Sequence, residues 1–152
     1  MEIVKARNPG CGKTHLSIGI AKRAIESGTV AAYNTVPSIC QELERRRFSK
    51  KNRDYDDNGD SSTDEYEDTL RTVDLLILDD LGAEAATQYS VSQMYEIINA
   101  RINARKATVI STNLTNDEIE RVYGTRVLSR LKLFTPLNFA KIDMRDYGRA
   151  TL

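Results

Sequence analysis

The sequence predicts an α/β domain built on a mostly parallel sheet, and three features of the chain lead to this prediction. Short apolar runs alternate with longer stretches in which apolar residues recur at helical spacing. The run Leu75–Leu78 is apolar at every position, which is typical of a strand buried on both faces of a parallel sheet. A glycine-rich turn follows the first apolar run and opens the first helical stretch. Strands that alternate with helices in this way indicate the α/β class.

Strand and helix candidates follow one another along the chain. The strand candidates are the runs EIVKA, TVAAYN, VDLLILDDLG, ATVISTN and AKIDM, at residues 2–6, 29–34, 73–82, 107–113 and 140–144. Helices are predicted at residues 13–27, 38–51, 88–105, 115–124 and 125–134. Gly28 and Gly124 are expected to end helices, Pro37 to open one, and Thr115 or Asn116 to cap one.

Length, composition and charge limit what the chain can be. Its 152 residues suffice for one domain with a buried core, and 40% hydrophobic with 29% charged residues is ordinary for a globular protein. The 22 basic and 22 acidic residues cancel, so no overall positive field exists to hold nucleic acid. We expect a cytoplasmic protein without membrane contact, because no apolar run could span a bilayer and no secretory signal is evident. Cys11 and Cys40 lack zinc-site spacing and are expected to be reduced thiols.

The charge changes sign abruptly between residues 45 and 68. The stretch RRRFSKKNR, Arg45 to Arg53, contains six cations around Phe48, which is the composition of a contact with single-stranded DNA. The alternative is a solvated helix face, which is the more frequent origin of a charge run. Residues 54–68 contain eight acids, no base and no aliphatic residue, so we expect an acidic mobile surface loop there.

The run NPGCGKTH predicts a loop that cradles phosphate. Glycines let backbone N–H groups curl around an anion, and the helix that follows adds the positive end of its dipole. Lys13 would reach the β and γ phosphates of a nucleotide, and Thr14 would offer its hydroxyl to Mg²⁺. Arg7 departs from the pattern G-x-x-x-x-G-K-[ST], in which a glycine begins the loop, so a weakened affinity stays open. His15 is interpreted as a helix residue at the end of this run. We expect ATP or ADP to contact Asn8, Pro9, Gly10, Cys11, Gly12, Lys13, Thr14 and His15.

Two acids end the third strand candidate. Apolar residues precede Asp79 and Asp80, which puts both carboxylates at the carboxyl end of a buried strand, where open α/β sheets bind ligands. Asp79 is expected to hold the Mg²⁺ shell, directly or through water, and Asp80 to orient or activate the attacking water. Glu84 is a second candidate for the water-activating group. The ordinary alternative is a pair of turn acids after a core strand.

The runs NPGCGKTHL, DLLILDDLG, STNL and TRVLSRL, in this order, resemble the AAA+ ATPase domain of bacterial replicative helicase loaders of the DnaC/DnaI type. IstB-type transposition ATPases are close relatives of that group, and the replication initiator DnaA is a more distant one. The resemblance covers nearly the whole chain except the segment around residues 43–70. It implies a P-loop NTPase (AAA+) fold, with three αβα layers and a mostly parallel five-stranded sheet. The N-terminal helicase-binding region of loaders has no counterpart before the first strand, so we expect a trimmed chain or a shortened homologue.

The resemblance also assigns roles to three polar residues. Asn113 matches the sensor-1 residue that positions water near the γ phosphate, although an Asn after a strand can also cap the next turn. Arg126 and Arg130 match the arginine-finger helix, whose arginine completes the site of a neighbouring subunit. Arg126 is favoured over Arg130. Two solvated arginines on one helix face are the alternative.

The function that the resemblance implies is a slow ATPase that uses ATP and Mg²⁺. It would act as a nucleotide switch for loading a replicative helicase on single-stranded DNA, within a nucleotide-dependent homo-oligomer. Two alternatives stay open: an IstB-like transposition ATPase that binds duplex DNA, and a non-hydrolysing nucleotide-binding scaffold. The intact residues Asp79, Asp80 and Asn113 argue against the scaffold, and the zero net charge argues against a long surface for duplex DNA.

Overall fold

A computed structural model describes residues 2–5, 12–51 and 62–138 of the chain. In these residues one sheet contains the strands β1 (Glu2–Lys5), β2 (Ala31–Thr35), β3 (Leu75–Leu81), β4 (Ala107–Thr112) and β5 (Thr135–Asn138). Their order across the sheet is β2-β3-β4-β1-β5, and each pair of neighbours runs parallel. The predicted α/β class with a parallel sheet is therefore confirmed.

Helices cover both faces of this sheet. They are α1 (Lys13–Glu26), α2 (Val36–Lys51), α3 (Ser62–Thr72), α4 (Gln88–Asn103) and α5 (Asn116–Leu131). Leu75 and Ile77 of β3 are buried with Ala21 of α1 on one face. Leu76 and Leu78 are buried on the other face in a larger cluster with side chains of the four remaining helices. Among these described helices, none is both long enough and apolar enough to cross a membrane.

A β-bulge interrupts β3 near its carboxyl end. Leu78 pairs with Ile110 and Leu81 pairs with Thr112, so β3 has one residue more than β4 over this stretch. Leu81 consequently lies in the same buried cluster as Leu78, although strict alternation would turn it to the opposite face. Asp80, inside the bulge, has a φ of 57°, in the left-handed region that Asp adopts more readily than most residues. Both acids of the third strand therefore lie at an irregular turn of the backbone.

The predicted acidic mobile loop at residues 54–68 is wrong over its second part. Residues 62–68 belong to α3, whereas residues 54–61 lie outside the described part of the chain. Leu70 of α3 is buried in the core and Tyr66 packs against the same cluster, so this helix has an apolar side. Arg71 and Glu67 form an ion pair at 3.0 Å, one helical turn apart. The composition of residues 54–68 did not indicate a helix, because Leu70, the buried core residue of α3, follows this acidic stretch.

The last strand of the sheet differs in position from the prediction. The predicted strand at residues 140–144 lies outside the described residues. The strand β5 precedes it and was not predicted from the sequence. Its proline, Pro136, is compatible with a strand because β5 lies at the edge of the sheet.

The helix α5 combines two predicted helices. Gly124 interrupts it with a φ of 80° and a ψ of 167°, at the position where the first of the two was expected to end. The cap is Thr115, whose Oγ1 accepts a hydrogen bond from the Glu118 N–H at 3.3 Å. The Glu118 carboxylate accepts in return from the Thr115 N–H at 2.8 Å. This reciprocal capping box decides between Thr115 and Asn116.

Candidate functional site

The candidate site lies at the carboxyl edge of the sheet, where three neighbouring strands end. Lys5 at the end of β1 pairs with Thr112 at the end of β4. Thr112 in turn pairs with Leu81 at the end of β3. The chain runs on from these ends to Lys13 after β1 and to Asn113 after β4. Parallel pairing thus collects residues that are far apart in the sequence, as is usual for ligand sites of α/β sheets.

The start of α1 is compatible with the phosphate loop that the sequence predicts. Gly12 has a φ of 88° and a ψ of 16°, in the left-handed region that glycine adopts without steric cost. No side-chain hydrogen bond caps this helix among the described residues, so its amino-terminal end is suited to an anion. Thr14 is half-buried and His15 is exposed in the first turn. The other predicted loop residues lie outside the described part of the chain: Asn8, Pro9, Gly10 and Cys11, together with Arg7.

Lys13 and Asn113 contact each other. The Lys13 Nζ donates a hydrogen bond to the Asn113 Oδ1 at 2.5 Å, across 100 positions of sequence. The lysine is only 6% exposed, although its side chain is one of the longest and most strongly hydrated. The predicted phosphate-contacting lysine and the predicted sensor residue therefore meet directly.

Asp79 is a buried carboxylate held by two hydroxyl groups. It is 1% exposed. Its Oδ1 accepts a short hydrogen bond from the Ser111 Oγ, and its Oδ2 accepts one from the Tyr33 hydroxyl at 2.7 Å. Burial, followed by this hydrogen bond and the charge of Asp79, raises the pKa of Tyr33 to about 12. The phenol is therefore a neutral donor to the carboxylate at ordinary pH.

Asp80 and Glu84, the two candidates for a water-activating group, differ in their surroundings. The backbone N–H of Asp80 donates to the Ser111 Oγ at 2.9 Å, and this half-buried residue lies within the bulge. Both carboxylate oxygens of Glu84 accept hydrogen bonds, Oε2 from the Gly82 N–H at 3.0 Å and Oε1 from the Tyr123 hydroxyl. Burial, and then the contact with Glu84, raises the pKa of Tyr123 far above its ordinary value. Glu84 thus holds the turn after β3 against α5.

The two predicted finger arginines also differ. The Arg130 Nε donates to the Asn99 Oδ1 at 2.8 Å, and its Nη2 donates to the Tyr95 hydroxyl at 3.3 Å. Its guanidinium also lies 5.6 Å from the Tyr95 ring centre, so α4 holds this side chain. Arg126 is exposed, and no hydrogen bond or ion pair joins its guanidinium to another residue in the described part of the chain. The geometry therefore makes Arg126 the more available of the two.

The described arginines of the basic stretch contact other residues of the chain. Arg45 and Arg46 both pair with Glu42, at 2.7 and 2.5 Å, and these contacts, Arg45 first, lower the pKa of Glu42 to about 2. The Arg46 guanidinium also lies 4.7 Å from the ring centre of Tyr66. The Arg47 guanidinium lies 4.5 Å from the ring centre of Tyr89. Phe48 is 62% exposed. The side chains at positions 50 and 51, and the whole of Arg53, lie outside what the structure describes.

Tyr33 and Ser111 belong to the site but were not identified from the sequence. Each lies in a strand, and neither residue type stands out there as chemically unusual. Ser111 is fully buried and bridges the Asp79 side chain and the Asp80 backbone. A polar residue at the end of a predicted buried strand was the one available signal for Ser111. No comparable signal marked Tyr33, because its contact depends on the pairing of β2 with β3.

The donors around Asp79 are compatible with a bound Mg²⁺ ion. The two hydrogen bonds that this carboxylate accepts in the described part come from neutral hydroxyls, and a buried carboxylate is stabilised by a nearby cation. In phosphate sites Mg²⁺ takes one or two protein oxygens and keeps several waters. Asp79 and the Thr14 hydroxyl are of the oxygen type that this ion requires.

Comparisons with known proteins agree with this arrangement. A model of the family described as IstB-like ATP binding protein matches residues 2–133. The replicative helicase loader DnaC of Escherichia coli (strain K12) is 26% identical over 125 residues, which are 82% of this chain and 47% of DnaC. This chain spans about half the length of the curated relatives that it matches, with 47% for this DnaC and 55% for that of Buchnera aphidicola subsp. Schizaphis graminum.

Solved structures share the fold. A crystal structure of the DnaC helicase loader matches with a TM-score of 0.74 at 21% identity, over 93% of this chain and 77% of that chain. DnaA from Aquifex aeolicus bound to AMPPCP matches with a TM-score of 0.74 at 18% identity, over 90% of this chain and 39% of that chain. These matches confirm the α/β P-loop fold of the AAA+ type.

Proposed function

We propose, on the premise that the chain belongs to the family of IstB-like ATP-binding proteins, that it binds ATP with Mg²⁺ and hydrolyses the nucleotide slowly. It would act as a nucleotide switch in the loading of a replicative helicase on single-stranded DNA. One observation carries the proposal: Lys13, Asn113 and Asp79 lie at the carboxyl edge of one sheet, beside a helix start that no side chain of the described residues caps. These are the parts that phosphoryl transfer from ATP to water needs.

Each part has a distinct task in this proposal. Lys13 and the first backbone N–H groups of α1 bind the phosphates, because both present positive charge to an anion. Thr14 and Asp79 would hold Mg²⁺, which would neutralise the charge that develops on the phosphate oxygens. Asn113 contacts the γ phosphate or the attacking water once the hydrogen bond between Lys13 and Asn113 is broken. The remaining predicted loop residues complete the phosphate cradle.

Asp80 is our candidate for the residue that orients or activates the attacking water. The contacts of Glu84 support this choice, since both of its oxygens accept hydrogen bonds from within the fold. Asp80 uses its backbone N–H to contact Ser111, and that contact leaves its carboxylate available. The left-handed backbone at Asp80 gives a further reason, because strained conformations cluster at active sites.

Arg126 is our candidate for the residue that completes the site of a neighbouring copy. Its exposure on α5 supports this role, whereas the contacts of Arg130 with α4 favour a structural role for that residue. A shared site would make ATP both a substrate and a link between subunits. The proposal therefore includes a homo-oligomer that forms with nucleotide.

The helicase partner is proposed from the relatives. DnaC is named as a replicative helicase loader, and the match to it includes 82% of the residues of this chain and 47% of those of DnaC. A role in transposition is the second candidate function, and the IstB-like family description favours it. Co-purification with a replicative helicase would support the first function, whereas co-purification with a transposase and affinity for duplex DNA would support the second.

The proposed contact with single-stranded DNA involves the surface around Phe48. The exposed ring of Phe48 supports it, because aromatic rings stack on unpaired bases. The contacts of Arg45, Arg46 and Arg47 within the chain reduce the charge that this surface offers. We expect Phe48→Ala to weaken binding of single-stranded DNA several-fold and to leave ATP binding unchanged.

Phosphate release by wild-type and variant chains tests the shared site. Lys13→Ala and Arg126→Ala should each abolish most turnover, for different reasons. Mixing the two variants should restore part of it, because an intact Lys13 in one subunit then meets an intact Arg126 in the next. Arg121→Ala, which removes another exposed arginine of α5, is the matched control and should keep full activity. A mixture that stays inactive would contradict the shared site.

A further inference from the structure

Tyr33 occupies a position that neither the motifs nor the family relationship points to. It lies in the middle of β2, an edge strand of the sheet, and pairs in register with Ile77 of β3. Asp79 lies two residues after Ile77 in β3, and its Oδ2 accepts a hydrogen bond from the Tyr33 hydroxyl at 2.7 Å. A side chain that stands on a strand and leans along it can reach a residue two positions ahead on the neighbouring strand. The contact therefore follows from the register of β2 and β3.

The two hydroxyl donors to Asp79 differ in their freedom to move. Ser111 is fully buried and its Oγ also accepts the Asp80 N–H, so two contacts fix it. Tyr33 is 39% exposed, and the edge position of β2 leaves room for its ring to rotate toward solvent. The hydrogen bond from Tyr33 to Asp79 can therefore be replaced by another ligand of the carboxylate, whereas the hydrogen bond from Ser111 is fixed.

The exchangeable donor competes with a hydrated metal ion. Mg²⁺ gives up its waters reluctantly and is often held by carboxylates that accept hydrogen bonds from those waters or coordinate the ion directly. Either mode uses lone pairs of the Asp79 oxygens. The phenol of Tyr33 already occupies one of these on Oδ2, the oxygen that Ser111 does not contact.

We propose that Tyr33 is a positioning residue that occupies Asp79 in the nucleotide-free state and gives up this hydrogen bond when Mg²⁺ arrives with ATP. The inference rests on the proposed function, since it assumes that Asp79 serves the metal. Tyr33 keeps the buried carboxylate hydrogen-bonded and correctly oriented while no cation is present, which a buried charge requires. The same contact sets a threshold for Mg²⁺, because the ion must displace the phenol.

Removal of the phenol should make Mg²⁺ more effective. In Tyr33→Phe the ring stays and the competing donor is lost. The Mg²⁺ concentration that gives half of the full gain in ATP affinity should fall by roughly tenfold, the factor expected for one hydrogen bond to a charged acceptor. Affinity for ATP in EDTA should stay unchanged, because the contact involves only the metal carboxylate. A purely structural role for Tyr33 would instead alter both affinities together or neither.

The experiment is calorimetric titration of the full chain with ATP, first in EDTA and then at stepwise Mg²⁺ concentrations. Tyr89→Phe is the matched control, since it removes a hydroxyl that donates to the Leu43 carbonyl at 3.4 Å and not to Asp79. Ser111→Ala is the opposite case, because it loses the fixed donor that orients Asp79, and it should require more Mg²⁺ than the wild type. Circular dichroism verifies that each variant is folded before titration.

The outcomes separate this inference from the proposed function. A lower Mg²⁺ requirement in Tyr33→Phe, with an unchanged requirement in Tyr89→Phe, supports the inference. An unchanged or higher requirement in Tyr33→Phe overturns it, provided that the wild type binds ATP and Lys13→Ala does not. If the wild type binds no ATP at any Mg²⁺ concentration, the proposed function itself is overturned, and the inference falls with it.

Discussion

The Lys13 ammonium donates a hydrogen bond to the Asn113 amide oxygen at 2.5 Å. This contact joins the beginning of α1 to the end of β4, and it satisfies a lysine that is only 6% exposed. A phosphate that binds at the start of α1 would draw the same ammonium group away from Asn113. We therefore expect nucleotide binding to be coupled to the release of Asn113 by Lys13.

Asn113→Ala should separate binding from hydrolysis. Because Asn113 competes with phosphate for Lys13, its removal should leave ATP affinity unchanged or slightly higher. Turnover should fall by roughly 10²–10³, the usual effect of removing one polar group that contacts the transition state. Calorimetry and phosphate release measure the two effects. Asn103→Ala, an exposed asparagine at the end of α4, is the control. A large loss of ATP affinity in Asn113→Ala would contradict the competition.

Asp80→Asn and Glu84→Gln should differ in their effects on ATP turnover. We expect the Asp80 variant to lose roughly 10²–10⁴ in turnover, as removal of a general base does, while ATP binding persists. Glu84→Gln should keep most of the activity, because its side chain can still accept from Gly82 or Tyr123. Single-turnover phosphate release distinguishes the two. The reverse ranking would identify Glu84 as the water-activating group.

Arg101 should be important for stability although it lies outside the site. It is fully buried, and it donates to the Thr108 Oγ1 at 2.9 Å, the Leu70 carbonyl at 3.0 Å and the Ala107 carbonyl at 2.6 Å. Burial lowers the pKa of its guanidinium to about 10, so it remains charged at neutral pH. These contacts tie together α3, α4 and β4.

Substitution of this arginine leaves buried acceptors without a donor. Arg101→Leu should lower the free energy of unfolding by at least about 3 kcal/mol, because three buried acceptors that each cost about 1–3 kcal/mol lose their donor. Urea denaturation followed by circular dichroism measures the change. Arg121→Leu, on an exposed face of α5, should change the free energy by no more than about 0.5 kcal/mol. A loss below about 1 kcal/mol in Arg101→Leu would mean that water satisfies these groups.

Cys40 should resist alkylation in the folded chain. It is 7% exposed, and burial, followed by the charges of Glu84 and Glu44, raises its pKa to about 12. A thiol with this pKa is ionised to roughly one part in 10⁴ at pH 8, and the thiolate is the reactive form. In a Cys11→Ser background, iodoacetamide should react at least about 10³-fold more slowly with the native chain than with the denatured chain. Rates within tenfold of each other would show that Cys40 is accessible.

Sequence patterns identified the buried strands and the helices around the site because burial on both faces leaves a continuous apolar run, as in Leu75–Leu78. They did not predict α3, because its core residue Leu70 follows the acidic stretch at residues 54–68, on whose composition the loop prediction rested. The β-bulge could not be predicted, since an extra residue in a strand changes the pairing without changing the apolar pattern much. Tyr33 could not be predicted as a site residue either, because its contact with Asp79 depends on the pairing of β2 with β3.

Direct measurement of nucleotide binding shows whether the carboxyl edge of the sheet is an ATP site. Calorimetric titration of the chain with ATP in the presence of Mg²⁺ should give one saturable site per chain. Lys13→Ala should lose this binding, whereas Lys22→Ala, which removes an exposed lysine of α1, should retain it. Wild-type binding that Lys13→Ala abolishes is the predicted result. Absence of binding to the wild type, or equal binding by Lys13→Ala, would contradict the assignment of the carboxyl edge of the sheet as an ATP site.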